Sequence, residues 1–378
     1  MRKTFKNFLL NLILSFVSLI LLFIVSEFFV FRFVLVASDM PTPDFINDIV
    51  RFQKNQEGIY RVKNEIKAKF KINSNGWNSG HQKYSESKDS NIYRVAIIGD
   101  SYISAFQVAY NKSVAERLEA KLASKRFQVY RFGIDGAPLS QYLHMLRREV
   151  VRYAPDLIIV NLVHNDFSES YEFKPGVYTS SFMKLKLENG IVTEEKNPTP
   201  YESPWYNWIR ESATWRYFAY RQKVRFNILR NIILGKKSKN KHQYQANIDI
   251  SLLDKNTIKN KVITNYILRS MRNICDTNKI RLLLLMNADC GSIYKRIEDT
   301  KLYETGALKL NRMVADIAQK YNIDFLDLHK VFSKNYLVNK KRFRFKYDGH
   351  WNSYAHEVVA DTLSSYIRYN IKPPFLSK

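Results

Sequence analysis

Cysteine is nearly absent. Cys275 and Cys290 are the only two in 378 residues, enough for one bridge in an oxidising compartment or for two free buried thiols, and too few for a disulfide framework. Acids are scarce as well: 35 Asp and Glu stand against 60 Lys and Arg, a formal net charge of +25. Such a chain attracts anionic partners, whether acidic polysaccharide, phospholipid headgroups or nucleic acid, and charge alone does not choose among them. No internal repeat is present, and no helix-turn-helix, zinc-finger or RNP-like signature accompanies the charge. Nucleic acid is therefore the weakest of these partners. Apolar material is not lacking: 46% of the residues are hydrophobic, ample for one large core plus appendages.

Charge is missing altogether from Phe8 to Ser26, a run about long enough to cross a bilayer core as a helix. Glu27 ends it, and apolar residues resume in FFVFRFVLVA. The whole stretch exceeds the short apolar region of a cleaved signal, so an uncleaved transmembrane anchor is expected. A buried core helix, or cleavage near Ala37, is the competing reading. Arg2, Lys3 and Lys6 precede the run and only Arg32 follows closely, which places the amino terminus in the cytoplasm and the remainder outside the cell membrane.

Residues 38–92 read as a polar, extracytoplasmic connector, a stalk open to a hairpin, with turn signals in MPTPDF and INSNGWNSG. From Tyr93 the pattern changes. RVAIIGDS, FQVYRFG, DLIIVNLV, RLLLLMN and IDFLDL are strand-length apolar runs, as expected of strands covered on both faces. Helical periods separate them, at SVAERLEAKLASK, LSQYLHMLRREVVRYA, IKNKVITNYILRSMRNIC and ALKLNRMVADIAQKY, with NSYAHEVVADTLSSYI near the end. This alternation predicts a parallel sheet with right-handed crossovers, a three-layer α/β/α domain over 93–378. The domains expected are thus the amino terminus and anchor (1–37), the connector (38–92) and this catalytic domain (93–378).

An insertion of about 167–257 breaks the regularity, being far longer than a crossover requires. Between Arg210 and Lys241 it holds ten Lys and Arg against the single acid Glu211, interleaved with Trp215, Tyr217, Phe218, Tyr220 and Phe226. It reads either as a surface for an anionic polymer or membrane, or as a solvated basic helix whose aromatics dock on the main domain. GKKSKNKHQ reads as a flexible loop.

Four short blocks carry the candidate chemistry. Gly99-Asp100-Ser101 follows the first strand, Gly133-Ile134-Asp135-Gly136 the second, and His164-Asn165-Asp166 the third. All three fall at the carboxyl edge of a parallel sheet, where open α/β sheets place their sites. Each alone also reads as an ordinary βα turn. Glycine bares a backbone N–H and asparagine adds an amide donor, so a glycine of the second block and Asn165, together with the N–H of Ser101, could form an oxyanion hole. The fourth block, Asp348-Gly349-His350-Trp351-Asn352, precedes the last helix. A serine hydroxyl needs a base and the base an orienter, and His350 and Asp348 have those chemical types. No G-x-S-x-G elbow is present, which removes the α/β-hydrolase alternative. Trp351 reads equally as lining the site or packing the loop, while His144 in a helical stretch, His329 closing a strand-like run, and His356, which follows His350 at no zinc-ligand spacing, read as structural or surface residues.

In this order the four blocks resemble the SGNH/GDSL hydrolases, named for Ser, Gly, Asn and His, and the resemblance runs from Tyr93 to about Tyr369. Ser101 in IIGDSY, Gly136 in FGIDGAPLSQY, Asn165 in VHND and His350 in YDGHWN match the four positions. INSNGWNSG, followed by a strand into GDS, is similar to the amino-terminal part of bacterial membrane-anchored members. The resemblance implies a flavodoxin-like three-layer fold, a Ser-His-Asp mechanism with oxyanion donors from Ser101, Gly136 and Asn165, and neither metal nor organic cofactor. Three departures stand out. Tyr347 occupies the usual orienter position three residues before His350, His164 stands where glycine often precedes the asparagine, and Arg131 replaces an asparagine before the second block.

The expected activity is removal of an acyl group, O-acetyl foremost, from an envelope glycan or similar ester. An O-acyltransferase using the same residues is the rival, and a non-catalytic binder of anionic glycan or lipid is the reading from another class.

Overall fold

Five of the apolar runs lie side by side in one parallel sheet, seen in a computed structural model that describes residues 2–124, 126–173, 181–196, 198–200, 204–224, 244–297 and 299–373. In chain order the strands are β1 (Pro43–Ile46), β2 (Ile49–Phe52), β3 (Glu57–Val62), β4 (Ile66–Lys71), β5 (Tyr93–Gly99), β6 (Phe127–Gly133) and β7 (Leu157–Leu162). Next come β8 (Lys184–Glu188), β9 (Ile191–Lys196), β10 (Tyr244–Gln245), β11 (Ile248–Asp249), β12 (Arg281–Met286) and β13 (Asp324–Asp327). The central sheet has the order β13-β12-β7-β5-β6, with every pairing parallel. Counted within the sheet this is 2-1-3-4-5, the flavodoxin-like order, whose strand direction of travel reverses between β5 and β7. Both faces are covered. Val95, Ile97, Val129, Ile159 and Leu285 share one cluster with Leu118, Phe332 and Val359 from the helices Val114–Leu122, Leu328–Asn339 and Ser353–Tyr366. The alternate residues Ala96, Ile98, Ile158, Val160 and Leu284 are equally buried and point the other way, as strand geometry requires. There the helices Leu139–Arg148, Thr257–Thr277 and Lys309–Lys320 pack against the sheet and one another.

These layers are the expected α/β/α fold. His329 differs from its reading: it lies in the first turn of a helix rather than closing a strand, because the Asp327 side chain caps that helix through the His329 N–H at 2.9 Å. Cys275 and Cys290 are free buried thiols, the second of the two alternatives.

The chain divides into two units. The larger holds Pro41–Gly58, Ala68–Tyr201 and Lys239–Lys378, and with it the whole central sheet. Much of the connector belongs to it and is no loose stalk. Asn73 Oδ1 accepts from the N–H groups of Asn75 and Trp77, closing a turn that sends Trp77 into the interior, and Phe52 and Phe70 pack edge-on against Phe106. The described part of the insertion contributes the antiparallel hairpin β8–β9 and the short pair β10–β11.

The smaller unit holds Met1–Met40, Ile59–Lys67 and Glu202–Ser238. Its helix Arg2–Val25 runs on through wider turns at Ser26–Val34, and the stretch Phe5–Val34 is long and apolar enough to cross a membrane. Glu27 then binds the insertion: its carboxylate accepts from Ala213 N at 2.6 Å, Thr214 N at 2.9 Å and Ser212 Oγ at 2.8 Å, while Phe31 packs on Tyr217 and Phe218. Those aromatics thus dock beside the apolar helix. Phe226 and the GKKSKNKHQ segment lie outside the described residues.

Candidate active site

Ser101 stands where β5 ends, beside the reversal in strand order and at the head of the helical turn Ser101–Ser104. Asp100 caps that turn by accepting the Tyr102 N–H at 2.9 Å. Its underside is held from below. The last carbonyls of a helix have no partner inside it, and here Ser104 O accepts from Asn78 Nδ2 at 2.8 Å and from Arg131 at 3.3 Å, while Ile103 O accepts from Arg131 at 3.3 Å. Arg131, which departs from the family pattern, is thus a buried brace under the turn, steadied by Glu116 at 3.4 Å. Gly133 is required by close approach, since a Cβ there would lie 2.1 Å from Ser104 N.

His350 reaches Ser101 from the loop before the last helix. That loop is anchored by the bridge Arg344–Trp351 and by Trp351 Nε1, which donates to Asn287 Oδ1 at 3.1 Å. Trp351 is fully buried, so of its two readings packing is the one found. The imidazole Nε2 lies 2.8 Å from Ser101 Oγ, and Nδ1 is hydrogen-bonded to Asp348 Oδ1. The same Asp348 oxygen accepts the His350 backbone N–H at 3.1 Å. One oxygen therefore takes both N–H groups of a residue two positions on, a tight turn that lets the short Asp-x-His spacing work. Tyr347, at the usual orienter position, is 45% exposed. Tyr102 backs the ring, its centroid 5.1 Å from that of His350, and its hydroxyl donates to Gly349 O at 3.1 Å.

Burial disfavours a charged His350, but its hydrogen bond to Asp348 and the fields of Asp348, Asp100 and Asp135 outweigh burial and raise its pKa. Asp100 behaves oppositely. Burial is its largest influence and, with Asp135 and Glu169 nearby, pushes its pKa up to about 7 in spite of the Tyr102 N–H and His350.

The other two predicted residues sit on the loops after β6 and β7. Gly136 has φ +73°, with open space where a Cβ would point. Asn165 directly precedes the helical turn Asp166–Glu169, and its Nδ2 donates to Glu169 Oε2 at 3.1 Å. His164 turns inward: buried, it lies 3.0 Å from Asn311 Oδ1, and burial takes its pKa down to about 4.

Ser101, His350 and Asp348 are thus brought into one hydrogen-bonded chain, with Gly136 and Asn165 on neighbouring loops of the same sheet edge. Sequence reasoning missed Tyr102, Asn287 and the bracing role of Arg131. Asn287 had a usable signal, its place just after the fourth strand at the shared edge; for Arg131 the signal was a lone charge inside an apolar strand. His144, His329 and His356 are buried among packed elements, and burial takes the His356 pKa down to about 3. Among the described residues no group of three or more His, Cys, Asp or Glu is arranged to hold a metal ion.

Residues 95–188 match the model of the GDSL-like lipase/acylhydrolase family, a stretch that contains Ser101, Gly136 and Asn165. No curated protein matches the chain. Among solved structures it is similar to an acetyl xylan esterase at 14% identity, over 72% of this chain and 99% of that one, with a TM-score of 0.40. It is similar also to a GDSL-like lipase from Bacteroides thetaiotaomicron, at 13% identity over 75% and 91% of the two chains with a TM-score of 0.37. A two-domain esterase active on acetylated mannans shares 12% identity over 74% of this chain and 50% of its own, also with a TM-score of 0.37. By that matched stretch, its four ordered blocks and its flavodoxin-like sheet, this chain is similar to the GDSL-like lipase/acylhydrolases.

Proposed function

We propose that the chain is a membrane-anchored serine esterase that removes acyl groups, O-acetyl foremost, from an envelope glycan or a similar ester outside the cytoplasmic membrane. The observation that carries the reading is the 2.8 Å approach of His350 Nε2 to Ser101 Oγ with Asp348 behind the ring. In this mechanism His350 takes the Ser101 proton as Oγ attacks the ester carbonyl. The tetrahedral oxyanion accepts hydrogen bonds from the N–H groups of Ser101 and Gly136 and from the Asn165 amide, whose second N–H is left for it when the first is given to Glu169. Collapse expels the alcohol, which receives its proton from His350. Water, deprotonated by the same imidazole, then attacks the acyl-serine, releases the carboxylic acid and restores Ser101. Asp348 steadies the imidazolium formed in between.

The anchored, outward-facing topology is supported by the apolar stretch Phe5–Val34 and by the Lys and Arg that precede it. Residues 1–37 would be the cytoplasmic end and anchor, 38–92 the extracytoplasmic connector and 93–378 the catalytic domain. A net charge of +25 favours an acidic polysaccharide as the ester-bearing polymer.

Labelling with a fluorophosphonate probe and mapping the labelled peptide tests the chemistry. The label should fall on Ser101, and Ser101→Ala should abolish both labelling and turnover of an acyl-ester probe; unchanged turnover would sink the assignment. Glycan acylation in a deletion strain tests the direction of transfer, since acyl content rises if the enzyme removes groups and falls if it adds them.

A further inference from the structure

The smaller unit contains a groove of about 700 Å³, within the size range of ligand sites, which the proposed chemistry does not use. One wall is the apolar helix itself, through Phe23 and Phe28; the other is the insertion, through Trp208, Trp215 and Phe218, with Arg32 beside them. Glu27 also lines it, but its carboxylate is already engaged by Ser212, Ala213, Thr214 and Arg32. A buried carboxylate so engaged has little left to offer a ligand, and the groove presents mainly hydrocarbon and aromatic rings. The surroundings are equally apolar. Phe23, Phe28, Trp205 and Trp208 are all more than half exposed, a concentration of large rings that marks an interaction surface.

We infer that this groove seats an acyl chain of a bilayer phospholipid, with the helix Pro204–Glu211 lying in the interfacial layer beside the anchor. Trp205 and Trp208, three residues apart, project from one side of that helix, as tryptophans do at a membrane–water boundary. The occupant is identified by continuity: a wall formed by the membrane-spanning stretch faces lipid tails, and the opposite wall meets it with the rings of Trp208, Trp215 and Phe218. Glu27 holds the two walls together by capping the helix that starts at Ala213. The inference rests on the anchor reading and is independent of the serine chemistry.

The full chain in phosphatidylcholine nanodiscs, doped with a phospholipid carrying a diazirine in its acyl chain, tests it by photolabelling and peptide mapping. Label should appear on residues 204–224 as well as on 5–25. In Ile209→Trp and, separately, Thr214→Phe, which fill the groove, label on 204–224 should fall roughly tenfold while label on 5–25 stays constant, as expected when added bulk displaces a ligand. Thermal melting confirms that each variant is folded, and Ile209→Trp leaves the Glu27 cap untouched should the other fail. Label on 5–25 alone, or label on 204–224 that survives both fillings, overturns the groove while sparing the anchor. Absence of label from 5–25 overturns the anchor and the groove together.

Discussion

Asp348 Oδ1 accepts from both the backbone and the ring of His350, so its removal should affect orientation and proton affinity at once. Asp348→Asn should lower kcat by about 10²–10⁴-fold with little change in melting temperature, because the ring loses the acceptor that fixes its tautomer. The pH profile gives a second readout. Only neutral imidazole can act as base, so turnover rises with pH through the His350 pKa, which lies above the ordinary 6.5. Without the carboxylate that favours the charged ring, the rising limb of kcat/KM should move to lower pH. Asp100 gives a stability test with its own sign. Its folded pKa is about 7 against an ordinary 3.8, so the folded state binds the proton more tightly and stability falls as pH rises between those values. Asn cannot ionise and keeps an oxygen for the Tyr102 N–H. Asp100→Asn should therefore match the wild type in melts near pH 4 and melt higher than it at pH 8.

The turn Ser101–Ser104 is the element on which the site depends, and its position is set from beneath by β6. Gly133→Ala would drive a methyl into the Ser104 backbone; an overpacking cost of about 1–3 kcal/mol is expected, read as a lower denaturation midpoint together with slower fluorophosphonate labelling. Arg131→Met should cost stability through the carbonyls of Ile103 and Ser104 left short of a donor. The site's strands and blocks were legible in sequence because fully buried parallel strands are unbroken apolar runs. The brace was not, because a charge inside such a run looks like an exception until the carbonyls it serves are seen.

For the whole molecule, the expected outcome is that the full chain stays with the membrane fraction through a carbonate wash and that deleting residues 1–36 releases it, as judged by sedimentation and blotting. Release of the intact chain would refute the span. The connector shows the limits of reading one segment at a time. Its polar composition and turn residues read as a stalk, yet Trp77 and Tyr84 within it are fully buried in the larger unit. Local composition reports what a segment can expose, not which partner will cover the few large side chains it carries.

Sequence by itself determined the class of fold, the apolar span and the four blocks, because each is written in spacing along the chain: apolar runs of strand length, a long uncharged stretch, and short motifs at strand ends. Tertiary structure decided what spacing leaves open. It brought Ser101 and His350 to 2.8 Å across 249 positions, turned His164 inward, buried Trp351, and tied Glu27 to a helix start 186 residues away. The physical reason is the same throughout. Hydrogen-bond partners and burial depend on which elements meet, and that is settled only when the segments of each unit fold together.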